Sequence, residues 1–208
     1  METKVKICGM KFPENISEIA ALQPDYLGFI FYDKSPRYFE NSIPNLDKSI
    51  KKVGVFVNAS FKEIEEKVKH YQLNLVQLHG TESPEFCALV ETKLVKVIKA
   101  FSMNDQFIFQ DLERYHNSCS YFLFDTKGKL YGGNGTVFNW AILKKYELNK
   151  PYFLSGGIGI QNANEVMEFL KEPYAKNCVV IDLNSRFEIE LGLKNPATLK
   201  EFIQNIKL

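Results

Sequence analysis

The strongest constraint on this chain is a change of hydrophobic period that recurs along its length. Short runs rich in β-branched and aromatic residues occur at 4–8, 26–31, 52–57, 75–78, 94–100, 121–124, 152–154 and 178–182. Brief, nearly unbroken apolar runs of this kind suit parallel strands covered on both faces. Helical periodicity fills several of the gaps. Residues 61–71 place Ile64 and Val68 on one face and Glu65, Glu66, Lys67 and Lys69 elsewhere. Ser83-Pro84-Glu85 reads as a helix start, with serine as the cap and proline at the first helical position. Val166, Phe169 and Leu170 stripe a third helix over 162–171, and Leu199, Phe202, Ile203 and Ile206 a last one that opens at Pro196. Strand followed by helix eight times over predicts an all-parallel α/β protein closed as a (β/α)8 TIM barrel. The rival, an open doubly wound sheet, typically uses fewer strands. At 208 residues the chain sits at the short end for such a barrel, so one domain over residues 1–208 is expected.

Composition narrows the function classes. With 26 basic and 25 acidic side chains the net charge is +1, which leaves no basic surplus for a nucleic-acid partner. Cys8, Cys87, Cys119 and Cys178 stand far apart without metal-ligand spacing, and read as reduced thiols rather than a disulfide framework. No apolar stretch has signal-peptide or membrane-spanning length, so a soluble cytoplasmic protein with no membrane partner is expected.

In such a barrel the chemistry lies at the C-terminal strand ends. Alternation along the first strand sets Lys4, Lys6 and Cys8 on one face and Val5 and Ile7 on the other, which turns Cys8 inward at the rim. A buried inert thiol is the competing reading. After the second strand comes Arg37, one of three arginines in the chain. Its fork suits a planar carboxylate or phosphate, and a solvated loop cation is the alternative. The fourth strand ends in His79, structural or supporting. Asp125 follows four aromatic or apolar residues, where burial favours the protonated form that suits a general acid. The loop after it, 128–136, is long and carries Gly133 and Gly135, as binding loops do. The seventh strand runs into Ser155-Gly156-Gly157-Ile158-Gly159 and a helix, a backbone suited to an anion.

Taken in order, these strand-end residues resemble the phosphoribosylanthranilate isomerase family of tryptophan biosynthesis across essentially the whole chain. The likeness rests on Lys6-Ile7-Cys8-Gly9, Gly28-Phe29-Ile30-Phe31 with Ser35-Pro36-Arg37-Tyr38, and Val76-Gln77-Leu78-His79-Gly80. Asp125 with Gly132-Gly133-Asn134-Gly135, and Ser155-Gly156-Gly157-Ile158, complete it. The resemblance implies a metal-free and cofactor-free Amadori rearrangement of N-(5-phosphoribosyl)anthranilate to 1-(2-carboxyphenylamino)-1-deoxyribulose 5-phosphate. It places Cys8 on the family's general base, Asp125 on its general acid and Arg37 on the residue that holds the anthranilate carboxylate. Gly156, Gly157, Asn184 and Ser185 fall on the phosphate segment, with Lys6, His79, Gly133 and Gly135 in support, in a monomer or homodimer. Lys6 shares a face with Cys8, so its charge is expected to favour the thiolate that a base must be.

One segment departs from the family pattern. Ser185 and Glu188 match after the eighth strand, and Gly192 with Lys194 fit the segment that follows. Asn184 replaces a serine and Arg186 stands where glycine is expected. Either Arg186 strains a left-handed position or it faces the phosphate. Two other classes compete. A metal-dependent sugar-phosphate epimerase needs more strand-end histidines than His79, since His70 and His116 lie in helical stretches. A non-catalytic phosphosugar-binding barrel would have lost the acid or the base, and both are present.

Overall fold

Eight strands form because eight segments carry apolar side chains on both faces, and each face finds its own core. The structure, a computed structural model, describes residues 3–126 and 139–206. Its strands are β1 (Lys4–Ile7), β2 (Tyr26–Ile30), β3 (Lys51–Phe56), β4 (Leu75–Leu78), β5 (Lys96–Met103), β6 (Tyr121–Thr126), β7 (Tyr152–Leu154) and β8 (Cys178–Leu183). Each pairs in parallel with the next, and β8 returns to β1 with Lys6 opposite Asp182, closing the barrel.

Inside, Tyr26, Val53, Leu75, Ile98, Ala100, Leu123, Phe153 and Val180 make a plug sealed by the Phe153 ring against Tyr26 and Tyr121. Outside, residues such as Val5, Ile7, Phe29, Val97, Phe124 and Ile181 pack on the surrounding helices. Apart from the tyrosine hydroxyls of Tyr26 and Tyr121, the plug is apolar. Function is left to the layer above it, at the C-terminal ends.

Among the described residues α-helices follow five of the eight strands: α1 (Pro13–Ala20), α2 (Phe61–Tyr71), α3 (Pro84–Lys93), α4 (Ala163–Lys171) and α5 (Pro196–Ile206). Ser60 and Ser83 cap α2 and α3 by accepting the Glu63 and Phe86 amides. The regular strand–helix alternation read from sequence breaks between β2 and β3. Pro36 and Pro44 interrupt that connection, and Phe39 fills the space a helix would occupy, fully buried with its ring 4.9 Å from Phe29 and 5.6 Å from Tyr71. After β5 the chain makes a 3-10 helix (Phe109–Tyr115) instead of an α-helix. β5 itself starts two residues later than expected, because Leu94 still donates its amide to Val90 at the end of α3. Also unanticipated is a hairpin between β8 and α5, formed by β9 (Glu188–Glu190) and β10 (Leu193–Lys194). Among the described residues no helix is long and apolar enough to cross a membrane.

The turn after β4 is stapled from below. Glu82 accepts the Gly80 and Asn58 amides and pairs at 3.1 Å with Lys99, whose ammonium also donates to the Leu78 and Gly80 carbonyls. Both side chains are almost wholly buried. Removing one partner of such a pair strands the other charge, so Lys99→Met should destabilise the fold by roughly 3–5 kcal/mol in denaturant unfolding. A loss below about 1 kcal/mol would show that the staple is not under the turn.

Candidate active site

Lys6 stands at the centre of the mouth. Alternation along β1 turns it inward, and at 0% exposure it has no access to water. Its ammonium donates to Asp182 Oδ2 at 2.8 Å and to Gln77 Oε1 at 2.9 Å. Burial works against its charge, but Asp182 and then the Cys8 thiol outweigh that and hold Lys6 above its ordinary value. From Gln77 the chain of polar groups continues to His79, with Gln77 Nε2 3.0 Å from His79 Nδ1. His79 Nε2 lies 3.5 Å from Asp125 Oδ2, while Asp125 Oδ1 accepts the Thr126 amide at 2.9 Å. A continuous polar path thus crosses the barrel from the end of β1 to the end of β6.

Cys8 closes the β1 side of the mouth, 4% exposed. Room for it comes from Gly28 on β2: a Cβ there would meet Cys8 Sγ at 2.8 Å and Lys6 Cε at 3.2 Å. Burial is the largest influence on the thiol and pushes it above its ordinary 9.0. Lys6 pulls it down, as the shared face suggested, Asp182 pushes it up again, and Lys194 pulls it down. The net direction is up, so Lys6 reduces the burial effect without cancelling it. Burial drives Cys87 and Cys119 up to about 12, against Lys99 at the first and Lys150 at the second.

A second charged cluster flanks the first. Arg37, 6% exposed, grips Glu188 of β9 through Nε (2.7 Å) and Nη2 (2.6 Å), a planar two-bond pairing. That pairing leaves the Nη1 edge of the fork uncommitted by Glu188. Glu188 also takes Lys194 Nζ at 2.8 Å, and Lys194 in turn donates to Asn184 Oδ1 at 2.7 Å. Burial pushes the Glu188 carboxyl up, but Arg37 and Lys194 overcome it and hold it below its usual range. Burial brings Lys194 down to about 8 in spite of Glu188. Gly9, at φ +75°, lets Arg37 and Asn184 approach: a Cβ there would meet Asn184 Oδ1 at 2.8 Å and Arg37 Cδ at 2.9 Å.

The glycine turn after β7 sits beside the end of β8, since Leu154 pairs with Ile181. Gly156 and Gly157 adopt φ of +96° and +64°, and a Cβ on Gly156 would collide with Thr126. Asn162 holds the turn's shape by accepting the Gly159 amide at 2.9 Å and donating to the Gly157 carbonyl at 3.1 Å. Arg186 is not in a left-handed conformation, so the strain considered for it does not arise. Its side chain covers Gly159, where a Cβ would lie 2.9 Å from Arg186 Cβ. Ser185 begins a short 3-10 helix (Ser185–Phe187), and the Asn184 side chain is turned to Lys194.

Cys8, Lys6, His79 and Asp125 therefore share one mouth, with Arg37, Asn184, Ser185, Gly156 and Gly157 around it. Gly133 and Gly135, with the rest of the loop 128–136, lie outside the described residues. Sequence reasoning gave no role to Gln77, Asp182, Glu188 or Lys194. Asp182 was within reach: it alternates inward with Val180 on β8, and closing the barrel sets β8 against β1. Lys194 and Glu188 come together through a hairpin that no periodicity announced.

Fold and site together define a (β/α)8-barrel enzyme whose mouth holds a thiol, a carboxyl and a cationic cluster. The family model for N-(5'-phosphoribosyl)anthranilate isomerase matches residues 5–205. An enzyme of that name from Parabacteroides distasonis is 44% identical, with 97% of this chain and 92% of the relative aligned. The crystal structure of phosphoribosyl anthranilate isomerase from Thermus thermophilus superposes with a TM-score of 0.82 at 27% identity, covering 98% of each chain. Another isomerase structure, in complex with reduced 1-(o-carboxyphenylamino)-1-deoxyribulose 5-phosphate, superposes at 0.78 with 29% identity over 99% of this chain and 98% of that one. The chain belongs to the phosphoribosylanthranilate isomerase family.

Because thiolate is the reactive form and Cys8 is displaced upward, its alkylation rate should go on rising beyond pH 9.0 instead of levelling there. Lys6→Met removes the main group opposing burial and should slow Cys8 alkylation further at every pH below the plateau. Superimposable profiles for the two proteins would remove Lys6 from control of the thiol.

Proposed function

We propose that the protein catalyses the Amadori rearrangement of N-(5'-phosphoribosyl)anthranilate by general acid–base chemistry, with Asp125 as acid and Cys8 as base. The observation that carries this reading is the placement of those two groups at the ends of β6 and β1, with a polar path across a common mouth from Asp125 to Lys6, the neighbour of Cys8. Asp125 protonates the ring oxygen as the C1–O bond breaks, and the anthranilate nitrogen supplies the electron pair that makes an iminium. Cys8 thiolate then takes the proton from C2, whose electrons form the C1–C2 double bond and neutralise the nitrogen. The resulting enolamine ketonises, C1 gaining a proton and the C2 hydroxyl losing one, so that substrate and product are isomers. No external oxidant or reductant is needed.

Binding follows from the charges. Arg37, held rigid by Glu188, offers the edge of its fork to the anthranilate carboxylate. Backbone amides of the Gly156–Gly157 turn, with Asn184 and Ser185, cradle the phosphate, the side-chain oxygen of Asn184 being committed to Lys194. Two cations against one carboxylate leave the Arg37–Glu188–Lys194 cluster with a surplus positive charge, which suits a ligand anionic at both ends.

General acids and bases each typically contribute ~10²–10⁴ in rate, so Cys8→Ala and Asp125→Asn should each lose at least that much kcat and fail to complement a tryptophan auxotroph lacking this isomerase. Either variant turning over within about tenfold of wild type would end the assignment. Lys194 gives a second check. As pH rises through about 8 its ammonium loses a proton and the surplus charge disappears, so KM should climb across that range. Lys194→Met should start from the higher KM and show a flatter profile.

A further inference from the structure

Hydrogen-bond polarity along the path under the mouth is dictated from one end. An ammonium has three donors and no acceptor, so the group 2.9 Å from Lys6 Nζ must be the amide oxygen of Gln77. The Gln77 NH2 then faces His79 Nδ1 at 3.0 Å and can only donate. Nδ1 is thereby the acceptor, and the imidazole proton sits on Nε2, aimed at Asp125 Oδ2 across 3.5 Å. Contacts of that length at catalytic groups often tighten only with substrate in place. A second proton on the ring would set Nδ1–H against the Gln77 NH2.

We propose that Lys6 and Gln77 lock His79 as its neutral Nε2–H tautomer, making His79 a positioning residue that orients the Asp125 carboxyl without offering it a cation. An imidazolium beside Asp125 would pin it as a carboxylate, which cannot donate the proton that ring opening requires. A neutral donor holds the same oxygen while leaving the carboxyl free to carry a proton. Asp125 Oδ1 accepts the Thr126 amide and Oδ2 faces His79 Nε2–H, so both carboxyl oxygens are oriented by neutral donors. The other charged groups facing this pair are Asp182 on β8, Lys6 on β1 with the Cys8 thiol beside it, and the Lys99–Glu82 pair from β5 and the β4 turn. Of these, Lys99 and Glu82 are bonded to the backbone around His79 and fix where the ring stands. Gln77, 1% exposed, has no second polar neighbour on this path besides Lys6 and His79 among the described residues.

This inference rests on Asp125 being the acid, and its test separates the two. Nitrogen-15 NMR of the wild-type protein at neutral pH should show His79 with a bare Nδ1 and a protonated Nε2, assigned by loss of the signals in His79→Asn. Gln77→Glu keeps the size but supplies a carboxylate that accepts from Nδ1–H. In it His79 should become doubly protonated, kcat should fall roughly tenfold or more with KM little changed, and the alkaline limb of the kcat profile should move to lower pH. Gln77→Met, which removes the lock without adding charge, should give a mixture of tautomers and a smaller loss of kcat with no shift of that limb. Wild-type His79 found with its proton on Nδ1, or carrying two protons, would overturn the proposal. So would a Gln77→Glu enzyme with an imidazolium and an unaltered kcat profile. Full activity in Asp125→Asn would instead sink the acid assignment, leaving the measured tautomer untouched.

Discussion

The rest of the structure depends on one buried ion pair, Lys6 with Asp182. It lies at the seam where the last strand meets the first, so the residues that close the barrel also begin its catalytic layer. As a stabilising device it has little to recommend it. Two charges taken from water lose more hydration than their attraction usually returns, and an apolar pair would seal the same seam at least as well. What an apolar pair could not do is set direction. A lysine at this point compels Gln77 to present its oxygen, and thereby turns the Gln77 NH2 toward His79 Nδ1.

The same pair accounts for the modest effect of Lys6 on Cys8. A free ammonium beside the thiol would favour thiolate strongly; an ammonium already matched to a carboxylate is felt as a dipole. Burial therefore prevails at the thiol and holds Cys8 above its ordinary value. A base that is seldom ionised is slow, yet a thiolate exposed at all times is open to oxidation and alkylation. In the base role proposed for Cys8, keeping the sulfur 4% exposed with two lysines nearby is a compromise between those demands.

Much of this was legible in the amino-acid order, and the boundary between what was and was not is physical. Short, nearly unbroken apolar runs identified the strands, and alternation along the first turned Lys6 and Cys8 inward, because each strand has a helix-facing side that accepts only apolar residues. Glycine placement marked the turn after β7, where Gly156 and Gly157 take left-handed conformations. Partnerships between side chains were not legible, since they depend on which strands become neighbours and on loops with no period. Arg37 meets Glu188 across 151 positions of sequence, and Lys6 meets Asp182 across 176. The helix expected between β2 and β3 failed for a related reason: prolines forbid it locally, and Phe39 supplies the same cover from a loop.

The departure at Asn184 and Arg186 illustrates how such a site tolerates change. Phosphate cradles built from backbone amides ask only that the chain keep its path, and side chains at those positions are free to take other work. Asn184 uses that freedom to anchor Lys194, which also pairs with Glu188 and feels both the Cys8 thiol and Arg37. Arg186, spared any left-handed strain, lies over Gly159 and packs the two adjoining turns together. Under the proposed phosphate cradle, substitutions that would look disruptive beside a family pattern are thus absorbed, since recognition there runs through the main chain. They would not be absorbed at Gly28, where even one added carbon would press on the Cys8 sulfur and the Lys6 stem at once.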